Sequence, residues 1–468
     1  MSENIPYIIA ENGYYYVAYK EKVKVPEIVV SAKGVANGLS EEYNDGWDFG
    51  PDSYSPTSTS AIPYTQTAGW QEGYDYAVEN NTKLKILSGT FNFSKTFTIS
   101  DSGITIEGSG ETGKDQTGTV INVTTASIDA IDIDVSSGPE NIYLSGFRII
   151  FTTSSTGHGI NLINGSSSDT IMHVSTFKNI SVHNADPSHY AYNLPYFLFC
   201  EFNFLSGYNC GGFMNIGSSA ITVADTTGNS LFLECKDGEP NAPTIPVLNI
   251  NGGVNNGIQL LHFTRLEISG QLNSQAAINI ENANRLKFDT VILEDDDTSG
   301  TYVAISTNNV QQTSFNNLGL NSAGEGGQIN LTDSSYIIFS NISPANTISP
   351  NTTMTTTSSS QIFILNTDLG PLSISGTGIS AINTNPYVPT TPSVPASGTA
   401  QQNTTPYPVK VYINGGALTE IQITINGTSY TVYSNSTASA VYEGFTLPAG
   451  ASITLTYSTA PTWSWLPE

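Results

Sequence analysis

Two acidic residues in neighbouring segments of the chain, Glu234 and Glu267, could form the carboxylate pair that hydrolyses a glycosidic bond. Glycosidases hold two carboxyl groups about 5 to 9.5 Å apart, one as acid and the other as base or nucleophile. A cation between them, Arg265, would keep a carboxylate ionised, which suits a nucleophile. Asp237 and Asp289 are further candidates for the same catalytic roles.

The same charges can also be explained as surface ion pairs. If neighbouring strands stack in register, Glu234 lies against Arg265 and Lys236 lies against Glu267, which is a charge-complementary arrangement. Exposed ion pairs of this kind contribute little to stability. The sequence leaves both explanations open.

A second candidate site is the segment 182–193, where planar and hydrogen-bonding side chains are concentrated. Such side chains stack on sugars and bind their hydroxyl groups. The alternative is that the aromatic residues pack against an adjacent subunit. The glycan-binding candidates are His183, Asp186, His189, Tyr190 and Tyr192, with Glu239 and Arg265 from neighbouring segments.

Composition argues against several other classes of protein. The chain has 15 Lys and Arg against 40 Asp and Glu, a net charge of -25, so it lacks the basic surface that nucleic acid requires. No apolar run approaches the roughly 18 residues of a membrane span, and the N-terminus lacks a secretion signal. The three cysteines are not part of a zinc motif, and the acidic run at 294–297 is best explained as a solvated loop. We therefore expect no metal and no cofactor.

The elements that must position these residues follow from an internal repeat. A Phe followed three residues later by an aliphatic residue or Cys recurs at intervals averaging about 27 residues. One turn of a parallel β-helix takes roughly 20 to 30 residues, and its turns stack about 4.8 Å apart. We therefore predict an all-β chain built on a right-handed parallel β-helix of about eleven turns. The repeated pairs are Phe147/Ile150, Phe177/Ile180, Phe202/Leu205, Phe232/Cys235, Phe263/Leu266, Phe288/Val291, Phe315/Leu318 and Phe339/Ile342.

Smaller elements flank the repeat. An Asn12-Gly13 pair between alternating apolar residues predicts a hairpin, and Trp70, Tyr74 and Ala77 have helical spacing within 67–81. The predicted units are an N-terminal β segment at 1–33, a loop and capping helix at 34–83, the β-helix at 84–382, a Pro/Thr/Ser linker at 383–407 and a C-terminal β-sandwich at 408–468.

Four short motifs precede the repeat: Asn44-Asp45-Gly46, the segment 68–77, Leu87-Ser88-Gly89 and Ile104-Thr105-Ile106-Glu107-Gly108. This succession resembles the opening of the pectate-lyase-like β-helix superfamily. Ser88 replaces the proline that is usual there, and the calcium motif of the pectate lyases, with its catalytic Arg and Lys, is missing from the sequence. The resemblance implies the β-helix fold and says little about activity.

A β-helix between a short N-terminal β segment and a C-terminal β module resembles viral tailspike or receptor-binding proteins. That resemblance implies a homotrimer on the virion surface or outside the cell, an N-terminus that docks to other virion tail proteins, and a helix surface that binds or cleaves host cell-surface glycans. We expect a glycan-binding attachment protein without membrane insertion. The alternatives are a glycoside hydrolase or polysaccharide lyase on the same rod, and a structural surface or capsid-decoration protein. Because so few cations balance the acidic groups, an acidic habitat such as that of an archaeal virus is a further hypothesis.

Overall fold

The chain is almost entirely β-structure, as the sequence predicts. The computed structural model describes residues 5–11, 14–20, 27–30, 66–110, 118–152, 156–166, 170–217, 223–229, 231–235, 244–253, 258–270, 275–295, 303–322, 327–344, 352–365, 372–376, 378–382, 391–405 and 408–467. These residues form thirty-nine strands and one α-helix, Trp70–Glu79. Within them, no helix is long and apolar enough to cross a membrane.

Thirty-two consecutive strands pair in parallel and coil into a β-helix. The strands are Glu27–Val30, Lys83–Ile86, Gly89–Phe93, Phe97–Ile99, Thr105–Glu107, Thr119–Val123, Ile131–Asp134, Tyr143–Phe151, Ile160–Ile163, Met172–His173, Thr176–His183, Tyr190–Leu194, Phe197–Leu198, Glu201–Tyr208, Gly212–Ile216, Val223–Asn229, Leu231–Cys235, Leu248–Asn251, Ile258–Phe263, Leu266–Gly270, Ala276–Asn284, Lys287–Phe288, Val291–Asp295, Val303–Asn316, Leu318–Ser322, Gln328–Thr332, Ser335–Ser340, Ser343–Pro344, Thr352–Thr357, Ser360–Leu365, Leu372–Ser375 and Ile379–Ile382.

Each coil passes through three faces, and a short segment such as Met172–His173 leads back to the first. A single residue with positive φ, for example Asn179 or Phe204, separates face 1 from face 2. The faces are defined by their register: Leu144, Phe177 and Phe202 lie on face 1, Phe147, Ile180 and Leu205 on face 2, and Ile160, Tyr192 and Met214 on face 3.

A column of stacked phenylalanine rings forms the core behind face 1. The rings of Phe263, Phe288, Phe315 and Phe339 follow one another with centroids 4.8, 4.7 and 5.1 Å apart and planes within 8° of parallel. The distance between coils, about 4.8 Å, is also a favourable distance for offset ring stacking. The repeated phenylalanines therefore fill the interior as continuous stacks.

The predicted column is wrong at Phe232. The residue in register with Phe202 and Phe263 is Gly228, and Phe232 instead pairs with Glu267 on face 2. Because glycine has no side chain, the phenylalanine pattern has a gap at this coil. The pattern therefore assigns to the column the next Phe in the chain, which lies four residues after Gly228. The aliphatic column consequently passes through Leu231 and not through Cys235.

The only helix in the described residues packs against the first coils. Trp70 contacts the rings of Phe91, Phe93, Phe97 and Phe147 edge to face, with centroids 5.5 to 5.7 Å apart. The helix begins three residues later than predicted, but its buried side is the predicted one. Phe147, expected in the phenylalanine column, lies on face 2 in register with Ile180 and packs against this tryptophan.

The N-terminal strands Ile5–Glu11 and Tyr14–Lys20 form the predicted antiparallel hairpin, with Glu11 opposite Tyr14. The strand Glu27–Val30, however, pairs in parallel with Lys83–Ile86 and so starts the β-helix. The boundary expected at residue 33 is therefore misplaced. Local patterns do not reveal a pairing between segments so far apart in sequence.

The C-terminal module is a five-stranded antiparallel sheet of Ala400–Gln402, Val409–Ile425, Thr428–Leu447, Ser452–Thr459 and Thr462–Pro467. A hairpin turn at Asn426-Gly427, with φ of 51° and 79°, joins its two long strands. Register irregularities around Gly415 divide Val409–Ile425 into two halves that pair with different neighbours. Strands that change partner at such points let one sheet supply both layers of a sandwich.

Part of the predicted linker belongs to this module. Ala400–Gln402 pairs with Ser452–Thr454, and the indole of Trp463 donates a hydrogen bond of 2.7 Å to the carbonyl of Pro392. Tyr457 donates to the carbonyl of Pro395 over 2.6 Å. Aromatic donors at the far end of the chain therefore fix a segment whose composition predicts a free linker.

Replacing Phe288 by Ala should destabilise the protein by about 3 to 5 kcal/mol, because the cavity would interrupt two ring stacks at once. Denaturant unfolding of the whole chain measures this loss. Tyr430→Ala is the control, since that ring is 54% exposed and its removal should change stability by less than about 0.5 kcal/mol. Equal losses in both variants would contradict the stacked core.

Candidate functional site

A row of asparagine side chains runs along the outer surface of face 3. The amide nitrogen of Asn193 donates to Asn161 over 2.7 Å, Asn215 to Asn193 over 2.8 Å, Asn249 to Asn215 over 2.8 Å and Asn279 to Asn249 over 2.9 Å. These five residues, the amide ladder, occupy equivalent positions on five successive coils. All but Asn161 are partly exposed.

The ladder follows from strand alternation. Each asparagine stands between two apolar residues that point into the core, so its own side chain points outward. An amide has two N–H donors and two acceptor lone pairs. Within the ladder Asn193, Asn215 and Asn249 each use one donor and one acceptor, which leaves the second donor and the second lone pair for a ligand.

A pair of carboxyl groups lies at the N-terminal end of the ladder. Asp129 accepts hydrogen bonds from the amide of Asn161 over 2.8 Å and from the backbone N–H of His158 over 2.6 Å. Asp132, in register with Asn161, is the next rung. Burial, with the charge and hydrogen bond of Asp129, raises the pKa of Asp132 to about 7. The pair therefore holds one proton in mildly acidic solution.

Two imidazole rings lie beside these carboxyl groups. The centroids of His158 and His189 are 4.9 Å apart, and Tyr190 stacks nearly parallel to His158. The backbone N–H of Tyr190 donates to Nδ1 of His158 over 3.0 Å, so this ring is held as the tautomer protonated at Nε2. Burial lowers the pKa of His158, which favours its neutral form.

The loop that carries His189 is fixed by Asp186. Its carboxylate accepts hydrogen bonds from the backbone and the hydroxyl of Ser188 and lies 3.3 Å from Nδ1 of His189. Partial burial opposes ionisation, but these hydrogen bonds prevail and lower the pKa of Asp186. We call Asp129, Asp132, His158, Asp186 and His189 the carboxyl–imidazole cluster.

Two residues predicted to bind glycan from this loop lie elsewhere. Tyr192 is fully buried, and its hydroxyl donates to the carbonyls of Ile180 and Ser206, so it belongs to the core. His183 lies on face 2 and packs on Tyr208, with ring centroids 4.7 Å apart. Its burial, with the charge of Arg148, lowers its pKa to about 4. The sequence pattern did not show that His183 and Tyr192 lie on different faces of the β-helix, or that the side chain of Tyr192 points into the core.

The predicted stacking of Glu234 on Arg265 is wrong. Glu234 is in register with Ser269, and Glu267 with Phe232, because the misplaced Phe shifted the alignment. Arg265 instead pairs with Glu267 on its own coil, at 3.0 Å. Three further residues lie outside the described part of the chain: Asp237, a catalytic candidate, Lys236, the predicted partner of Glu267, and Glu239, a glycan-binding candidate.

Asp289 is separate from this pair, because it lies on the outer surface of face 1. Its carboxylate contacts Nε2 of His262 at 2.6 Å, Nζ of Lys287 at 2.9 Å and the amide of Asn316 at 3.2 Å. Desolvation opposes ionisation, but the hydrogen bonds outweigh it and lower the pKa of Asp289 to about 2. A carboxylate so firmly ionised is unsuited to act as a general acid.

The described residues contain no group of three or more His, Cys, Asp or Glu side chains arranged to hold a metal ion. The thiols of Cys200 and Cys210 lie in the core and donate to the carbonyls of Leu198 and Tyr208, and burial raises the pKa of each to about 12. Both thiols are therefore protonated and unreactive near neutral pH.

The amide ladder is the feature that the sequence pattern contained and our prediction overlooked. An asparagine between two core residues recurs once per coil, but it is a less conspicuous signal than the repeated phenylalanines. The signal comprises Ile160-Asn161-Leu162, Tyr192-Asn193-Leu194, Met214-Asn215-Ile216, Leu248-Asn249-Ile250 and Ile278-Asn279-Ile280.

The chain is thus a parallel β-helix protein with an amide-lined outer face. No protein-family model and no curated protein matches its sequence. Among solved structures it is similar to the Dettilon tailspike protein (11% identity, TM-score 0.43, covering 85% of this chain and 77% of that one). It is also similar to a tailspike of an Acinetobacter phage (13%, 0.42, 83% and 77%). A third neighbour is the A-module of a mannuronan C-5 epimerase from Azotobacter vinelandii (11%, 0.41, 67% and 93%). Since these TM-scores are below 0.5, the neighbours do not bear on the activity of this chain.

The two perturbed aspartates should give opposite pH dependences. With its pKa raised to about 7, Asp132 contributes stability in acid that is lost as the pH rises from about 4 to 7. Asp132→Asn should remove this loss, by up to about 1 kcal/mol per pH unit. Asp289, with its pKa lowered to about 2, contributes stability above pH ~4 that is lost on further acidification, so Asp289→Asn should flatten only the acid limb. Unfolding midpoints between pH 2 and 8 measure both effects, and identical profiles would contradict the assignment.

Proposed function

We propose that the protein is an attachment protein that binds a host cell-surface glycan along face 3. The amide ladder is the observation that carries this proposal. Side-chain amides donate and accept hydrogen bonds in one plane, which suits neighbouring hydroxyl groups of a sugar. Because the coils repeat about every 4.8 Å, a glycan lying along the rod would meet an equivalent amide on each coil.

The carboxyl–imidazole cluster would hold one end of such a glycan. Asp186 is ionised and partly exposed, so it can accept hydrogen bonds from sugar hydroxyls. His189, whose side chain is 31% exposed, presents ring surface beside it, and a ring of this kind packs against the apolar face of a sugar. Tyr190 supports this end from behind, because its ring packs between His158 and Gly212. The glycan would therefore be recognised by polar groups along its length and by a ring at one end.

Binding is supported better than cleavage. Both carboxylate oxygens of Asp129 accept hydrogen bonds, from Asn161 and from the backbone N–H of His158, so Asp129 is held as the end of the ladder and not as the free nucleophile of a glycosidase pair. Glycan cleavage by the Glu234 and Glu267 pair stays a separate hypothesis. Measuring reducing ends after incubation with a bound glycan tests it, and release abolished by Glu234→Gln or Glu267→Gln would establish it.

We further propose that the protein acts as a homotrimer on a virion surface, with its N-terminal hairpin docked to other tail proteins. The surface of the β-helix supports self-association. Its exposed large apolar side chains, among the described residues, all lie on face 1 or its two edges. Two copies with a net charge of -25 each repel one another, and contacts between these apolar side chains would offset that repulsion. These side chains are Val174, Phe199, Phe204, Leu260, Tyr336 and Ile338.

Asn215→Ala and Asn249→Ala should each weaken glycan binding about 5- to 30-fold, the effect of one or two lost hydrogen bonds. An array of neutral and acidic cell-surface polysaccharides identifies the ligand, and titration calorimetry with the best-bound glycan gives the affinities. Asn282→Ala is the matched control, because Asn282 accepts a similar hydrogen bond from Asn309 away from the ladder. Binding that survives both ladder variants, or that falls equally with the control, would refute the proposed site.

Introducing charge on face 1 should dissociate the assembly. Phe199→Glu and Tyr336→Glu each place an acidic group at the proposed contact, so the mass in solution should fall from that of a trimer to that of a monomer. Ala126→Glu adds the same charge at an exposed position away from face 1 and should leave the trimer intact. An unmodified chain that is already monomeric at micromolar concentration would count against the assembly.

A further inference from the structure

The C-terminal module has an open, polar outer face on the half of the sheet that is centred on residues 409–414. In this half, Tyr412 is opposite Gly444 on one side and Ser464 on the other, while Lys410 is opposite Leu466. Tyr442 is opposite Asn414, which places it on the same surface. The alternate residues point the other way into the core, where Val409, Val411, Ile413, Trp463 and Trp465 are buried.

Tyr412 lies across Gly444. A Cβ atom at position 444 would come within 2.8 Å of Cε1 and 3.0 Å of Cδ1 of this ring, so only glycine leaves room for it. The ring therefore rests against the sheet with one side, and 39% of the residue remains exposed. Tyr442, diagonally adjacent, is 73% exposed. Two tyrosines thus present ring surface on one face of the sheet.

A single cation accompanies the two rings. Lys410 is the only Lys, Arg or His from residue 391 to 467. Its Nζ lies 5.5 Å from the centroid of the Tyr412 ring, and it forms no ion pair within the described residues. Neither acidic residue of the described module neutralises it: Glu420 is hydrogen-bonded to Gln422 and Thr431, and Glu443 belongs to the opposite surface of the sheet.

We propose that Lys410, Tyr412 and Tyr442, here called the tyrosine platform, bind an acidic sugar at a site separate from face 3. Exposed aromatic rings pack against the C–H face of a sugar, and an unpaired ammonium attracts its carboxylate. The hydroxyls of Thr446, Ser464 and Thr462 border the rings and supply hydrogen-bonding groups. In a module otherwise without cations, this pairing of rings and charge favours a carboxylate-bearing ligand over a neutral one.

Titration of the full chain with three acidic probes tests this proposal: oligogalacturonate, a hyaluronan fragment and sialyllactose, each beside its carboxyl-reduced form. At least one acidic probe should bind about tenfold more tightly than its reduced counterpart, and less tightly as salt rises. Tyr442→Ala and Lys410→Gln should each weaken that binding about tenfold. Tyr430→Ala is the control, because that tyrosine is 54% exposed on the same strand but in the other half of the sheet.

Three results would overturn the proposal. One is that none of the acidic probes binds more tightly than its reduced form. Another is that Tyr430→Ala weakens binding as much as Tyr442→Ala does. The third is that Tyr442→Ala changes the mass of the protein in solution, which would make the platform a contact between copies. Asn215→Ala separates the two sites, since a ligand of the platform should bind this variant normally even if face 3 binds no glycan.

Discussion

The distance between coils, about 4.8 Å, governs this structure. Parallel main-chain hydrogen bonds fix it, so every side chain on one coil meets its counterparts above and below at nearly the same distance. Phenylalanine satisfies this condition in the interior, where rings stack 4.7 to 5.1 Å apart. Asparagine satisfies it outside, because its amide donates to one neighbour and accepts from the other. The composition of the chain, poor in charge and rich in amides and hydroxyls, follows from the same condition.

Charged side chains fit this repetition poorly. Where Asp132 comes close to Asp129, one of the two must keep a proton near neutral pH, and where carboxylates stay ionised they are surrounded by donors, as Asp289 is by His262 and Lys287. On the first coils, Glu27 likewise pairs with Lys83 and Lys85. A binding surface that repeats on every coil would therefore consist of neutral groups.

The fold could be predicted from the sequence because the repeated phenylalanines are the residues that stack in the core. The prediction is wrong where a coil has no phenylalanine at that position. Gly228 occupies the column there, so the pattern assigns Phe232 to it and misaligns the charges around Glu234. The candidate site follows from the sequence only in part. Asp186, His189 and Tyr190 were identified by their residue types, whereas Asp129 and His158 join them through register between coils, which no local pattern contains. Tyr190 and Tyr192 are the same residue type two positions apart, so the sequence does not distinguish them. Tyr192 is buried because its register with Met214 on face 3 directs its side chain into the core.

The amide ladder also has a direction. Every amide donates toward the N-terminal end of the rod, and the last donor, that of Asn161, ends on the carboxylate of Asp129. Aligned amide dipoles add, as they do along a helix, and an anion stabilises their positive end. A glycan is itself a directional polymer with two unlike ends. A surface with this polarity would distinguish the two orientations of the polymer, so the rod would point one way along every chain it binds.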